Sequence, residues 1–232
     1  MAVSTEQKVL APVIRSQPKS PVSEAFRTLR TNIKYASVDR PLKSILFTSP
    51  APSEGKSTVT ANFALTLAQA GYKVLLVDCD MRKPVQHKIF SLKNHRGLTN
   101  ILVEGKAVKE LVNVVEPEGL ELLTTGPIPP NPAELLGSAR MASLLGELGQ
   151  SYDMVILDTP PVIAVTDAVL LAPQVSGVVL VLKAGTTLVE MAREAKEQLE
   201  RVNARILGVV LNGIKRKGSG YYHYYYYYYG ND

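Results

Sequence analysis

Six short runs of apolar residues punctuate the chain: Ser44–Thr48, Val74–Val77, Leu120–Leu123, Met154–Leu157, Val178–Leu182 and Ile206–Leu211. Most carry no alternating polar position, so as strands they have no face to give to water. A strand buried on both faces belongs in a parallel sheet covered by helices on both sides. Helix-length segments lie between the runs: Lys56–Ala70 closed by Gly71, Pro132–Leu148 opened by Asn131, and Leu188–Val202 with interleaved acidic and basic positions. This alternation predicts an α/β fold with a doubly wound, mostly parallel sheet. At 232 residues and 46% hydrophobic content, the chain can fill one such core but not two.

The two ends differ from this middle. Residues 1–22 hold Pro12, Pro18 and Pro21 among polar residues and are expected as a mobile lead-in, with Ser20 or Ser23 capping the helix that follows. In that helix Phe26, Leu29 and Ile33 share one face, and Glu24, Arg27 and Thr31 the other. Residues 23–214 are expected to form the globular domain. Beyond it, residues 215–232 form a flexible tail: Lys215, Arg216, Lys217 and a Gly-Ser-Gly spacer lead to Tyr221, Tyr222, His223 and an unbroken run of Tyr224, Tyr225, Tyr226, Tyr227, Tyr228 and Tyr229.

Charge and cysteine content exclude several functions. The net charge of +5 is local, because residues 1–43 hold eight Lys/Arg against three Asp/Glu and the remainder holds eighteen of each. A basic arm of that size is a solvated face or a contact for an acidic surface, and no nucleic-acid partner is expected. The single cysteine, Cys79, builds neither a disulfide framework nor a thiolate metal cluster, and fits a reducing cytoplasm. No run approaches the roughly 18 apolar residues that span a bilayer, so a membrane connection would come through a partner.

The first apolar run leads into Ser49-Pro-Ala-Pro-Ser53-Glu54-Gly55-Lys56-Ser57-Thr58 and then an alanine-rich helical segment. Strand, loop and helix are the setting of a phosphate loop. There the backbone N–H groups of Ser53, Glu54, Gly55 and Thr58 face phosphate oxygens, Lys56 neutralises them, and the Ser57 hydroxyl coordinates Mg²⁺. The G-x-x-x-x-G-K spacing would put glycine at position 50, where this chain has Pro50.

Two further runs end in acids. Val74-Leu-Leu-Val77 continues into Asp78-Cys-Asp80-Met-Arg82, where period-two alternation sends Asp78, Asp80 and Arg82 to one side. Met154-Val-Ile-Leu157 ends in Asp158-Thr-Pro-Pro161. Ligands of open α/β sheets bind at carboxyl strand ends. Lys56, Ser57, Asp78, Asp80 and Asp158 therefore make a cation-and-carboxylate set suited to ATP with Mg²⁺.

Together these segments resemble the bacterial tyrosine kinase family of capsular and extracellular polysaccharide synthesis, over nearly the whole chain. Ser49–Ser57 resembles its Walker A loop, Val74–Arg82 its Walker A′ motif and Val155–Pro161 its Walker B motif. Glu24, Arg27, Arg30 and Asn32 match the E-x-x-R-x-x-R-x-N helix used in ring assembly, and the tail resembles the family's autophosphorylated tyrosine cluster. The resemblance implies a P-loop fold of the ParA/MinD-like class and a ring homo-oligomer, an octamer in the best-known members. It also implies a cytoplasmic enzyme recruited to the inner face of the plasma membrane by the cytoplasmic tail of a separate membrane activator. From Asn212 the tail extends up to roughly 70 Å at about 3.3–3.6 Å per residue, which allows transfer within one copy or between copies.

A tyrosine hydroxyl, with an ordinary pKa of about 10, needs a proton acceptor near neutrality. Asp80 is read as that base and Asp78 as the organiser of Mg²⁺ and its waters, with the reverse assignment open. Asp158 holds the opposite side of the metal. Arg82 is read as orienting the acidic pair or the tail, and Asn212 as an adenine contact or an ordinary turn before Gly213. Two other functions fit the same motifs: a ParA/MinD-type ATPase switch, or a non-enzymatic nucleotide-bound assembly module. The ATPase family carries a second lysine five residues before the loop lysine, where this chain has Ala51.

Overall fold

The computed structural model describes residues 11–36, 41–116 and 118–214. Residues 1–10 and the tyrosine tail, with the phosphorylation sites expected in it, lie outside the described residues. Seven strands form one sheet: β1 (Ser44–Thr48), β2 (Val74–Asp78), β3 (Asn113–Val115), β4 (Leu120–Leu123), β5 (Met154–Asp158), β6 (Gly177–Lys183) and β7 (Ile206–Asn212), in the order β3-β4-β2-β5-β1-β6-β7. All pairings are parallel except β3 with β4. From β1 the chain winds to one side, to β2, and from β5 it crosses β1 to β6 on the other. The reversal places the ends of β1 and β5 side by side, with Phe47 level with Asp158.

Nine helices flank the sheet among the described residues: α1 (Val13–Ser16), α2 (Pro21–Tyr35), α3 (Lys56–Ala68), α4 (Gln86–Ile89), α5 (Leu98–Glu104), α6 (Pro132–Leu136), α7 (Ala139–Ser151), α8 (Asp167–Leu171) and α9 (Val189–Arg201). One core layer joins β1, β2 and β4 to α2 and α3, with Phe47 and Phe63 ring centroids 5.3 Å apart. The opposite layer packs α5, α7, α8 and α9 on the other face. α3 is buried almost all round because α1 and α2 lie over it, which explains its lack of a polar stripe.

Three expectations change. Residues 11–22, expected as a mobile lead-in, are packed: Ile14 is 1% exposed and its N–H donates to Asn62 Oδ1 at 3.1 Å. Burying an isoleucine contributes about 1.5–3 kcal/mol, enough to hold a four-residue helix that has little stability alone. The single helix expected over Pro132–Leu148 is broken at Gly137, because Ser138 caps a new helix by accepting from Met141 N at 3.2 Å. β7, apolar in sequence, is an outer strand whose Val209 and Leu211 are exposed. Ser20 rather than Ser23 caps α2, accepting from Ser23 N at 3.2 Å.

Candidate active site

The loop between β1 and α3 turns through Ser53 at φ 66° and Gly55 at φ 84°. A side chain at 55 would be strained in that left-handed region and would also collide with Asn212, whose Nδ2 would lie 2.1 Å from its Cβ. Asn212 closes β7 against this loop, donating from Nδ2 to the Glu54 carbonyl at 2.9 Å. Asn212, read as an adenine contact or an ordinary turn before Gly213, thus has its side chain on the loop backbone. Glu54 is turned inward: Thr187 Oγ1 donates to its Oε1 at 2.7 Å, and burial pushes its carboxyl up. Ser53 and Thr58 are exposed, beside half-buried Ser57.

Lys56 opens α3 and is buried, its Nζ paired with Asp158 Oδ1 and 3.1 Å from Ser57 Oγ. The loop lysine thus meets the acid that ends β5. Asp158 Oδ2 accepts from Gln86 Nε2 at 2.7 Å. Asp78, level with Asp158 on the adjacent strand, is wholly buried. Its Oδ1 accepts from Asp80 N at 3.2 Å and its Oδ2 from Val85 N and Gln86 N at 3.1 and 3.0 Å. Burial, then the Asp158 carboxylate, push its carboxyl well above the ordinary range. Asp80 is 7% exposed and accepts from Lys83 N at 3.0 Å, and burial pushes it up despite the Lys56 charge.

The expected metal set is not assembled as a cage. Among the described residues no three Asp, Glu, His or Cys side chains converge to hold an ion. Asp78 faces backbone N–H groups, whereas Ser57 and Asp158 both face Lys56 Nζ. The donor set still fits Mg²⁺ arriving with a nucleotide, because that ion keeps several waters and takes one or two carboxylates plus phosphate oxygens. Gln86 Oε1, buried beside Asp158 with no partner among the described residues, is an acceptor such waters can satisfy.

The Arg82 guanidinium, read as orienting the acidic pair or the tail, is held by α8. It makes a two-pronged bond to Asp167 at the start of α8, Nε to Oδ2 at 3.0 Å and Nη2 to Oδ1 at 2.9 Å. On α2, Glu24 and Arg27 pair with each other at 2.9 Å and Asn32 is exposed, whereas Arg30 is turned inward to the Thr66 carbonyl at 2.9 Å. Sequence reasoning missed Gln86, Asp167 and Thr187. Gln86 had one signal, a position just after Pro84 at a helix start; the other two carried none beyond a polar residue near a turn.

A family model described as an AAA domain matches residues 53–205. Tyrosine-protein kinase YwqD of Bacillus subtilis (strain 168) is 49% identical over 203 residues, covering 88% of this chain and 86% of that one. The chain belongs to the bacterial tyrosine-protein kinase family. The solved kinase domain of the Escherichia coli tyrosine kinase ETK superposes on this kinase with a TM-score of 0.86 at 31% identity, over 95% of this chain and 88% of that one. The septum site-determining protein MinD of Pyrococcus horikoshii, solved with Mg-ADP, has a TM-score of 0.63 at 21% identity over 72% of this chain and 69% of its own. That likeness confirms the ParA/MinD-like P-loop fold and nothing further. No helix among the described residues is long and apolar enough to cross a membrane.

Proposed function

We propose that this kinase transfers the γ-phosphate of Mg-ATP to the tyrosines of its own C-terminal cluster, between copies in a ring, and so regulates polysaccharide synthesis or export. The observation that carries this reading is the meeting of Lys56, Asp158, Asp78 and Asp80 at the sheet's reversal point, where the phosphate loop begins a buried helix. Lys56 and the N-terminus of α3 would stabilise charge on the transferred group, and Ser57 would hold the metal. Asp80 is the base: it keeps solvent access, whereas Asp78 has both oxygens fixed by backbone N–H groups. Asp78 then organises the metal's waters. Each phosphotyrosine adds about −1.5 to −2 charge, so a modified eight-tyrosine tail repels its neighbours and favours ring dissociation.

A separate membrane protein whose cytoplasmic tail engages the kinase would place it at the inner face of the plasma membrane. In the ring, Glu24, Arg27, Arg30 and Asn32 would supply the assembly face, with Arg30 also bracing α2 on α3 through the Thr66 carbonyl.

The test is a mixing experiment with Mg-ATP and mapping of phosphotyrosine, with and without the activator segment. A Lys56→Ala copy with an intact tail is mixed with an active copy whose tail tyrosines are phenylalanine. Phosphotyrosine on the inactive copy's tail establishes transfer in trans. Hydrolysis without phosphotyrosine in the wild type, activator present, would favour the ATPase switch; bound, unreacted ATP would favour the assembly module.

A further inference from the structure

Gln86 opens α4, directly after the Asp78–Arg82 segment, and is completely buried. Its backbone N–H donates to Asp78 Oδ2 at 3.0 Å. Its side-chain Nε2 donates to Asp158 Oδ2 at 2.7 Å and to the Ser57 carbonyl at 3.0 Å. One residue therefore ties together the phosphate loop and both acidic strand ends. With both amide hydrogens used, the remaining atom, Oε1, can only accept. That oxygen is buried without a partner among the described residues. Buried polar atoms are normally satisfied, so this one calls for a donor that arrives with a ligand.

The identity of that donor is constrained. Phosphate oxygens carry no hydrogen to give, so the vacant acceptor does not suit the nucleotide's phosphates. Water bound to a cation is a strong donor, and Mg²⁺ keeps several waters when it binds beside phosphates. Gln86 also holds the backbone of Ser57, whose hydroxyl is the expected metal ligand. Of the two side chains that bond the Asp158 carboxylate, Lys56 is the one a triphosphate would draw away, and Gln86 is the one that stays.

We propose that Gln86 is a positioning residue for the metal-nucleotide complex: Nε2 fixes Asp158 against the phosphate loop, and Oε1 accepts a hydrogen bond from a water of the Mg²⁺ hydration shell. The proposal rests on the Mg-ATP reading above. Groups that orient a metal's ligands are worth about 10–100-fold in metal affinity or activity.

The experiment titrates Mg²⁺ into the full chain with a fluorescent ADP analogue, for the wild type, Gln86→Met and Gln86→Asn, alongside thermal melting. In Gln86→Met the Mg²⁺ midpoint rises by about 10-fold or more. Affinity for the analogue in EDTA stays at the wild-type value, and kcat for tyrosine phosphorylation falls with KM for ATP little changed. Gln86→Asn keeps the amide one methylene shorter and folds if Met does not; its Mg²⁺ midpoint rises in the same direction by a smaller factor. Wild-type midpoints in the folded variants, or equal losses with and without Mg²⁺, overturn the role of Gln86. A wild type whose nucleotide binding ignores Mg²⁺ overturns the Mg-ATP reading as well.

Discussion

The two ends of the sheet hold buried charge in opposite ways. At the amino end, before β4, Arg15 from α1 pairs with Glu118, donates to the Glu116 carbonyl at 2.7 Å and lies 5.8 Å from the Phe90 ring centroid. Burial alone would raise the Glu118 carboxyl, but the Arg15 guanidinium and the Gln69 amide outweigh it and hold the group below its ordinary value. At the carboxyl end three carboxylates share one buried lysine, and both Asp78 and Asp80 are pushed up. The first arrangement ties a terminal segment down. The second keeps charge where the folded chain alone would rather not have it, which is how sites tune acids and bases for chemistry.

The sharpest way to break this comparison is Asp80→Asn. Loss of a general base lowers kcat for tyrosine phosphorylation by about 10²–10⁴-fold. Stability should move the other way. A carboxyl raised in the folded state binds its proton more tightly folded than unfolded, so its contribution worsens as pH rises above the ordinary value of 3.8 toward the raised one. The nucleotide- and metal-free variant therefore melts above the wild type at pH 8, and the difference shrinks as pH falls toward 4. Paired melting curves check this; a variant melting below wild type at pH 8 would remove the idea that the site stores unfavourable charge.

Arg15→Ala probes the amino end and should behave as its mirror image. Removing a charge-assisted set of hydrogen bonds lowers stability by about 2 kcal/mol, read as a fall in the urea midpoint. Kinase activity at 25 °C stays at the wild-type level, because no site residue is touched. Glu118, lowered in the folded state, stabilises fully above its ordinary 4.5 and loses that contribution as pH falls through its lowered value. The gap between wild type and variant thus closes in acid. Loss of activity in proportion to stability would instead join α1 to the catalytic end.

The ends also differ in how much of them the sequence made legible. β1, β2 and β5 were readable because strands buried on both faces leave apolar runs, β4 is broken only by Glu121, and the acids that end β2 and β5 mark the ligand edge. β3 was not: three residues with Val114 exposed give no periodicity. β7 misled because its apolar run, Ile206–Leu211, sits on an outer strand. Lys56 and Asp158 could be brought together on paper since both terminate central strands. Gln86 and Asp167 could not, because neither ends a strand and neither belongs to a spaced motif. Arg15 was hidden in a proline-bearing lead-in where the buried Ile14 carries no pattern by itself.

The smallest effect concerns Asn212, where the ends of β7 and the phosphate loop touch. If its role is to brace the loop through the Glu54 carbonyl, the bond is blind to the base of the nucleotide. One neutral hydrogen bond contributes about 0.5–1.5 kcal/mol, so Asn212→Ala should weaken ATP and GTP alike by roughly 2–10-fold. Calorimetric titration of both nucleotides decides between the two roles. A loss confined to ATP would restore the adenine contact first read from the sequence, and would require Asn212 to leave Glu54 when the nucleotide binds. An equal loss makes the end of β7 part of the phosphate cradle.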